Sequence, residues 1–387
     1  MKKLFLLLLT LTLLPGHSYP SGKIKRLQEK LDAICKELVP DKRVDICRVK
    51  VSKGKNGKLE VWGEVTAPEY KNKILAAASG NKITDKISLL PDTSLVKKPW
   101  GLVTVSVANL KSEPSHASEM ATQAILGTPV KILKKEGSWL YVQTPDHYLA
   151  WVTGASVMEM SQSQLQQWNS SERMIFMENY GLVHSDLQKN EIISDLVAGS
   201  ILRKMGETGD LLQVQLPDGR SGIAERKGFI PVSEWKKPKE ITTESLISTA
   251  RKFLGIPYLW GGTSSKMIDC SGFIKNIWFL NGIILERDAS QQFKYGEVVD
   301  TGKNFEKLQP GDVLFFGRKE PLRIVHTGLH IGNGEVIHAS TRVMINSMDP
   351  SKPNYSSYLG TTYVGTKRIL GQPSKFGYMP VSEHPWY

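Results

Sequence analysis

Residues 269–280 read DCSGFIKNIWFL. Phe273, Ile277 and Leu280 recur at helical spacing, so the stretch predicts a helix that starts beside Cys270 and stops at Asn281-Gly282. The neighbours of the cysteine, Asp269, Ser271 and Gly272, are small and polar, unlike those of a thiol buried in a core strand. A helix N-terminus carries unpaired amide groups and the positive end of the helix dipole, and both stabilise a thiolate. Cys270 therefore reads as a nucleophile that needs a nearby proton acceptor.

Upstream, Thr242 can cap a helix carrying Leu246, Ala250, Phe253 and Leu254 on one face, ended by Gly255. A Gly-rich segment, 256–265, then leads to the cysteine. Downstream the period changes. Residues 313–316, 325–331 and 335–340 predict strands, with Gly332-Asn333-Gly334 as a tight turn between the last two. A helical half followed by a β half makes residues 241–371 an α+β domain, with 372–387 as a C-terminal tail. Folding about Asn333 sets residue 328 opposite 338, so His326 becomes a diagonal neighbour of His338 on one face. One imidazole can then orient the other in a Cys-His-His relay. His330 alternates onto the same face as His326, and spacing alone does not choose between them.

Further upstream the chain repeats itself. Glu119, Gly127, Gly137, Leu140, Val142, Gln143, Pro145 and Asp146 recur, all 72 residues later, as Glu191, Gly199, Gly209, Leu212, Val214, Gln215, Pro217 and Asp218. A constant register argues for duplication, and short alternating strands with Gly and Pro-Asp turns predict two small β-barrels, at 100–158 and 173–235. The polar stretch 161–171 and the Lys- and Pro-rich stretch 235–240 read as linkers. Residues 23–98 form a small α/β unit: Leu27, Leu31, Ile34 and Leu38 have helical spacing, and 44–51 and 59–65 alternate as strands.

Residues 1–19 read as a signal peptide, with Lys2 and Lys3 before an apolar run at 4–14 that is too short to span a bilayer. The chain is thus expected to be exported to the periplasm or the extracellular space, without stable membrane insertion. There it meets an oxidising environment, where Cys35 and Cys47, close in sequence, are the disulfide candidates and Cys270 is the odd thiol. The formal net charge of +12 steers the surface towards carboxylate-bearing polymers. No basic run is interleaved with aromatics, so nucleic acid is not an expected partner. The Cys and His spacings give no zinc pattern, and neither metal nor cofactor is expected.

The motifs GIPYLWGG (255–262), DCSGF (269–273), RDASQQ (287–292), LQPGDVLFF (308–316), HTGLHIGNG (326–334) and VIHAS (336–340) together resemble the NlpC-type cell-wall peptidases, which are papain-like. The resemblance implies Cys270 as nucleophile, His326 as base, His338 as the orienting residue, and Tyr258 beside the nucleophile, helping the oxyanion or the substrate. His330 stands where that family usually carries an aromatic or apolar residue. The two repeats resemble bacterial SH3-like domains. The implied fold class is a multidomain α+β chain: a small N-terminal α/β unit, two SH3-like β-barrels and a papain-like catalytic domain.

Two such domains before the peptidase are similar to the γ-D-glutamyl-L-diamino acid endopeptidase (dipeptidyl-peptidase VI) subgroup, in which the first SH3-like domain lines the substrate site. The matching positions are Glu119 and Tyr148, alongside Asp269, Ser271 and Ser290. At the repeat offset Tyr148 becomes Arg220 and Trp151 becomes Ile223, as expected if the first copy is the specialised one. The implied activity of the monomer is hydrolysis of the bond between γ-D-glutamate and a diamino acid. Its implied partners are peptidoglycan-derived peptides with a free N-terminal L-Ala, in wall-peptide recycling. The competing readings are a wall-binding protein without catalysis, and an amidase or acyltransferase on the same scaffold. The complete set Cys270, His326 and His338 argues against the first.

Overall fold

Amphipathic spacing and alternation cut the chain into two units in the computed structural model, which describes residues 22–54, 57–237, 241–300, 305–371 and 378–387. The expected signal peptide, 1–19, lies outside the described residues, as does part of the expected tail. One unit comprises the chain up to Lys42 with Ile46–Leu90, the other Arg43–Asp45 with Pro91–Tyr387.

In the first unit, α1 (Gly22–Leu38) buries Leu27, Leu31 and Cys35. β1 (Cys47–Lys53) pairs antiparallel with β2 (Leu59–Val65), and β2 runs through α2 (Pro68–Ala78) to a parallel partner, β3 (Ile83–Leu89). Leu31, Val61, Ile74 and Ile87 meet in its core. The sequence reading did not anticipate α2 and β3. α2 buries only Ile74 and Ala78, and β3 only Ile87, so neither shows a strong period. Cys35 and Cys47 are bonded, with Cα atoms 5.1 Å apart. The expected boundary at 98 shifts to Leu90, because Val96 packs into the next sheet's core and the Asp92 amide donates to Leu133 O at 2.8 Å.

The second unit begins with β4 (Trp100–Val103), β5 (Val107–Lys111), β6 (Met120–Ile125), β7 (Pro129–Glu136), β8 (Trp139–Gln143), β9 (Leu149–Thr153) and β10 (Val157–Met160). They form one sheet in the order β10-β4-β7-β8-β9-β5-β6. α3 (Gln162–Ser170) follows, so the first polar linker is helical. Ser161 and Gln164 make a capping box, and Leu165 and Trp168 are buried. β11 (Arg173–Phe176), β12 (Gly181–His184), β13 (Ile192–Leu196), β14 (Ile201–Thr208), β15 (Leu211–Gln215), β16 (Ser221–Glu225) and β17 (Phe229–Pro231) make a second sheet, ordered β13-β12-β16-β15-β14-β11-β17. Read from the other edge, this is the order of the first sheet. β14, β15 and β16 each begin 72 residues after β7, β8 and β9. The duplication is thus repeated strand for strand, but among the described residues each copy is an open seven-stranded sheet and not the closed barrel expected, since its two edge strands do not pair.

After the short α4 (Val232–Trp235), α5 (Thr243–Lys252) is capped by Thr242 as its sequence predicts. The hairpin β18 (Thr263–Ser264) and β19 (Met267–Ile268) leads to α6 (Cys270–Leu280). Then come β20 (Ile283–Leu285), α7 (Ala289–Gln292), β21 (Glu297–Val298), β22 (Val313–Arg318), β23 (Arg323–Gly332), β24 (Glu335–Ala339), β25 (Val343–Ser347), α8 (Ser357–Thr362), β26 (Tyr363–Arg368) and β27 (Tyr378–Pro380). Six of these strands form an antiparallel sheet, β21-β26-β22-β23-β24-β25. α6 packs on β23 and β24, and Phe273, Ile277, Phe315, Leu329 and Ile337 share the core between them. The helical half and β half are as expected, and that packing carries the start of α6 to β23.

Candidate active site

Asp269 caps α6, its Oδ1 accepting from the Gly272 amide at 2.7 Å. The same carboxylate accepts from the Gly261 amide at 3.0 Å, the Ser271 hydroxyl at 3.2 Å, and both terminal nitrogens of Arg287. Arg287 is buried and also donates to Ser271 Oγ at 2.9 Å and to Thr122 Oγ1 of β6 at 3.0 Å. The helix start is therefore held rigidly by a satisfied buried ion pair. Asp269 has five donors on its two oxygens, which makes it a scaffold for the site more than a direct receptor for a ligand.

Across from it, the turn at Asn333 and Gly334 has positive φ at both residues, the geometry a two-residue hairpin turn requires. The register pairs Leu329 with Ile337, and Gly328 then faces His338. His326 Nε2 lies 2.8 Å from His338 Nδ1, so the diagonal pairing read from the sequence is present. His330 sits opposite Val336 and lines a separate cavity with Phe305, Leu308 and Met348. Of the two candidates on this strand, His326 is the one joined to His338.

The pair continues to a residue the sequence reading missed. His338 Nε2 lies 3.0 Å from Asn346 Oδ1 on β25, and Asn346 Nδ2 donates to Asn354 O at 3.0 Å. A carbonyl only accepts, so the Asn354 bond fixes the amide with Oδ1 towards His338. His338 Nε2 must then carry hydrogen, and its neutral Nδ1 accepts from His326 Nε2–H. His326 Nδ1 is left with a lone pair. The relay thus sets the tautomer of the outer imidazole, as second partners of catalytic histidines commonly do.

Burial dominates the electrostatics. It pushes the Cys270 thiol up to about 12, helped by the Asp269 carboxylate and opposed by the Thr327 and Ser271 backbone amides and the Arg287 charge. Burial, then the neighbouring His338, depresses His326 to about 3. The helix-start argument expected a stabilised thiolate; desolvation outweighs it, and the resting pair is neutral thiol and neutral imidazole. The Thr327 amide on the thiol puts Cys270 beside the strand that bears His326.

Cys270 opens into a cleft of about 550 Å³ that Glu119, Tyr148, Tyr258, Asp269, Ser271 and Ser290 also line. All six expected substrate-binding residues are thus brought to the nucleophile. Glu119 Oε1 accepts from Trp260 Nε1 at 2.7 Å, and the Tyr148 hydroxyl donates to Asp288 Oδ2 at 3.1 Å. Ser290 Oγ accepts from Arg43 Nη1 at 3.0 Å. Tyr258 is half-buried beside the thiol, and burial raises its phenol further above its usual value. Tyr358, 5.9 Å from His326 between ring centroids, is another neighbour not foreseen. Arg287 and Asp288 stood in a quoted motif without a role. Asn346 and Arg43 gave no local signal, since tertiary pairing alone brings them near. Among the described residues, no group of three or more His, Cys, Asp or Glu is placed to hold a metal ion.

Residues 255–368 match the NlpC/P60 family, and residues 110–157 match the bacterial dipeptidyl-peptidase Sh3 domain. The chain is 30% identical, over 67% of its length and 96% of the relative's, to dipeptidyl-peptidase 6 of Lysinibacillus sphaericus. The chain belongs to the NlpC/P60 family. A γ-D-glutamyl-L-lysine dipeptidyl-peptidase of Bacillus cereus is 28% identical over 66% of this NlpC/P60 chain and 77% of its own. The crystal structure of an NlpC/P60 family protein from Bacillus cereus shares the fold, with a TM-score of 0.60 at 22% identity, over 70% of this chain and 99% of that one. Within this NlpC/P60 peptidase, Cys270, His326, His338 and Asn346 fall inside the first matched stretch, and Glu119 and Tyr148 inside the second. Arg43 falls in neither.

Proposed function

We propose that this NlpC/P60 cysteine peptidase hydrolyses the bond between γ-D-glutamate and a diamino acid in peptidoglycan-derived peptides that begin with a free L-Ala. The observation that carries this reading is one cleft that joins Cys270 to an acceptor-rich wall, Glu119, Tyr148 and Asp288. An ammonium group has only donors, so such a wall recognises it. Cys270 attacks the carbonyl as His326 Nδ1 takes the thiol proton, in one concerted movement because neither group is charged at rest. Amides at the start of α6 and the Tyr258 hydroxyl, which line the same cleft as Cys270, serve as donors to the developing oxyanion. His326 then returns the proton to the leaving amine, and water releases the acyl-enzyme. His338 and Asn346 keep Nδ1 free of hydrogen before the attack, and again once the proton has passed to the leaving amine.

The two seven-stranded sheets are read as duplicated SH3-like modules, the first specialised as cleft wall. Arg220, at the repeat position of Tyr148, donates to Thr104 O at 2.9 Å and so serves structure. Among the described residues no helix is long and apolar enough to cross a membrane. The lysines and apolar run at 2–14 and the Cys35–Cys47 pair support export of this enzyme, which would act on released peptides.

The test is mass spectrometry of products from L-Ala-γ-D-Glu-L-Lys, its diaminopimelate counterpart and the N-acetylated forms. Cleavage should fall after γ-D-Glu, vanish in C270A, and drop at least about a hundredfold on acetylation, the equivalent of two charge-assisted hydrogen bonds. Cleavage elsewhere, or acetylated peptides cut within about tenfold of free ones, overturns the reading.

A further inference from the structure

The cleft also holds a cation, Arg43, that ammonium recognition does not use. Arg43 lines it beside Ser290, Asp288 and Cys270. Arg43 belongs to the stretch Arg43–Asp45 that groups with the second unit, anchored where the Leu149 amide donates to Arg43 O and Gln143 Nε2 to Val44 O, each at 2.8 Å. Its Nη1 donates to Asp288 Oδ2 at 2.8 Å and to Ser290 Oγ at 3.0 Å. The Tyr148 hydroxyl donates to that same Asp288 oxygen at 3.1 Å. The guanidinium is thereby locked in direction, while its side chain keeps 37% of its surface exposed.

A γ-glutamyl bond uses the side-chain carboxyl of glutamate. The α-carboxylate of that residue stays ionised, two methylenes and the α-carbon away from the scissile carbonyl, where an ordinary peptide has an uncharged amide. A site for such an acyl group needs a cation and donors close to the nucleophile. We infer that Arg43 is a specificity-determining residue that, with the Ser290 hydroxyl, receives this α-carboxylate. The inference rests on the substrate class proposed above. Ser290 Oγ accepts from Arg43, so its own hydroxyl hydrogen points elsewhere and can donate to the incoming carboxylate. Arg287 does not fill this role: it is 1% exposed and committed to Asp269, Ser271 and Thr122. Arg323 lines the same cleft from β23 and is the competing cation.

The experiment compares L-Ala-γ-D-Glu-L-Lys with the same peptide amidated at the glutamate α-carboxylate, using wild type, R43Q, R43K and R323Q. Wild type should prefer the free acid by about tenfold or more in kcat/KM, the scale of one charge-assisted contact. R43Q should collapse that preference, with the loss in KM for the free acid, and R43K should restore part of it. A preference unchanged in R43Q, an equal loss on both peptides, or a collapse in R323Q instead overturns the inference. Calorimetry of C270A with the dipeptide L-Ala-γ-D-Glu and its α-amide separates this inference from the reaction. If wild type cuts neither peptide, the proposed hydrolysis falls. The inference then stands or falls on whether adding R43Q to C270A removes the preference for the free-acid dipeptide.

Discussion

Asn346 contributes no chemistry to the reaction, yet its amide orientation decides which nitrogen of His326 is basic. The Asn354 carbonyl holds that amide, and the order of donors along His338 and His326 follows from it. The same residues predict an unusual pH behaviour. With the thiol near 12 and the imidazole near 3, the ligand-free pair stays neutral across the whole neutral range. Iodoacetamide alkylation of Cys270 should therefore keep rising with pH from 6 to about 10, without the plateau that a preformed thiolate gives. At pH 7, H326A should slow it at least about tenfold, as expected when a general base is lost, and H330A less than about threefold. A plateau below pH 7, or the opposite order of the two variants, would contradict the relay. Stability follows the sign of the His326 shift. Its folded value lies below the ordinary 6.5, so between about 6.5 and 3 the unfolded chain binds the extra proton. The contribution is present above 6.5 and is lost as pH falls towards 3. Urea midpoints at pH 7 and pH 4 should differ less in H326A than in wild type.

The β23–β24 hairpin is the element that makes the relay possible, and Gly328 is its tightest point. A Cβ there would lie 3.0 Å from His338 Cβ and 2.5 Å from Val336 Cγ1, so the two strands would have to part. G328A should cost about 1–3 kcal/mol of stability, the usual range for overpacking. It should also lower kcat at least about tenfold, because His338 moves with its backbone. A folded G328A enzyme with normal kcat would show that the hairpin tolerates separation without loss of the relay. β22 and α6 flank this hairpin and share its core, so the element responds as a packed unit.

At the scale of the molecule, the two units are stabilised differently. The small three-stranded unit carries the Cys35–Cys47 bond, at a sequence separation of 12, while the larger unit keeps only the buried thiol of Cys270. Thiol counting under denaturing, non-reducing conditions should give one free thiol per chain. Reduction should weaken the small unit by about 2–3 kcal/mol, the chain-entropy value for so short a loop. Three free thiols without reductant would refute the pairing. The net charge of +12 belongs to this scale too: it predicts faster capture of anionic peptides at low salt, with no bearing on which bond is cut.

Local chemistry fixed everything that a few adjacent residues can encode. The capped start of α6 at Cys270, the Asn333-Gly334 turn, the facing of His326 and His338, and the duplicated strands follow from period, turn residues and caps within short windows. Glu119, Tyr148, Tyr258 and Ser290 were legible only through resemblance, since nothing in their own neighbourhoods marks them. Tertiary structure alone decided the rest. β24 must pair with β25 before Asn346 reaches His338, and Arg43 must dock on β9 before it reaches Ser290. It also decided the charge state of the nucleophile. The helix start favours a thiolate, but the burial that raises the thiol is a sum over α6, β23 and the cleft walls. That sum exists only once distant segments have excluded water from the same few ångströms.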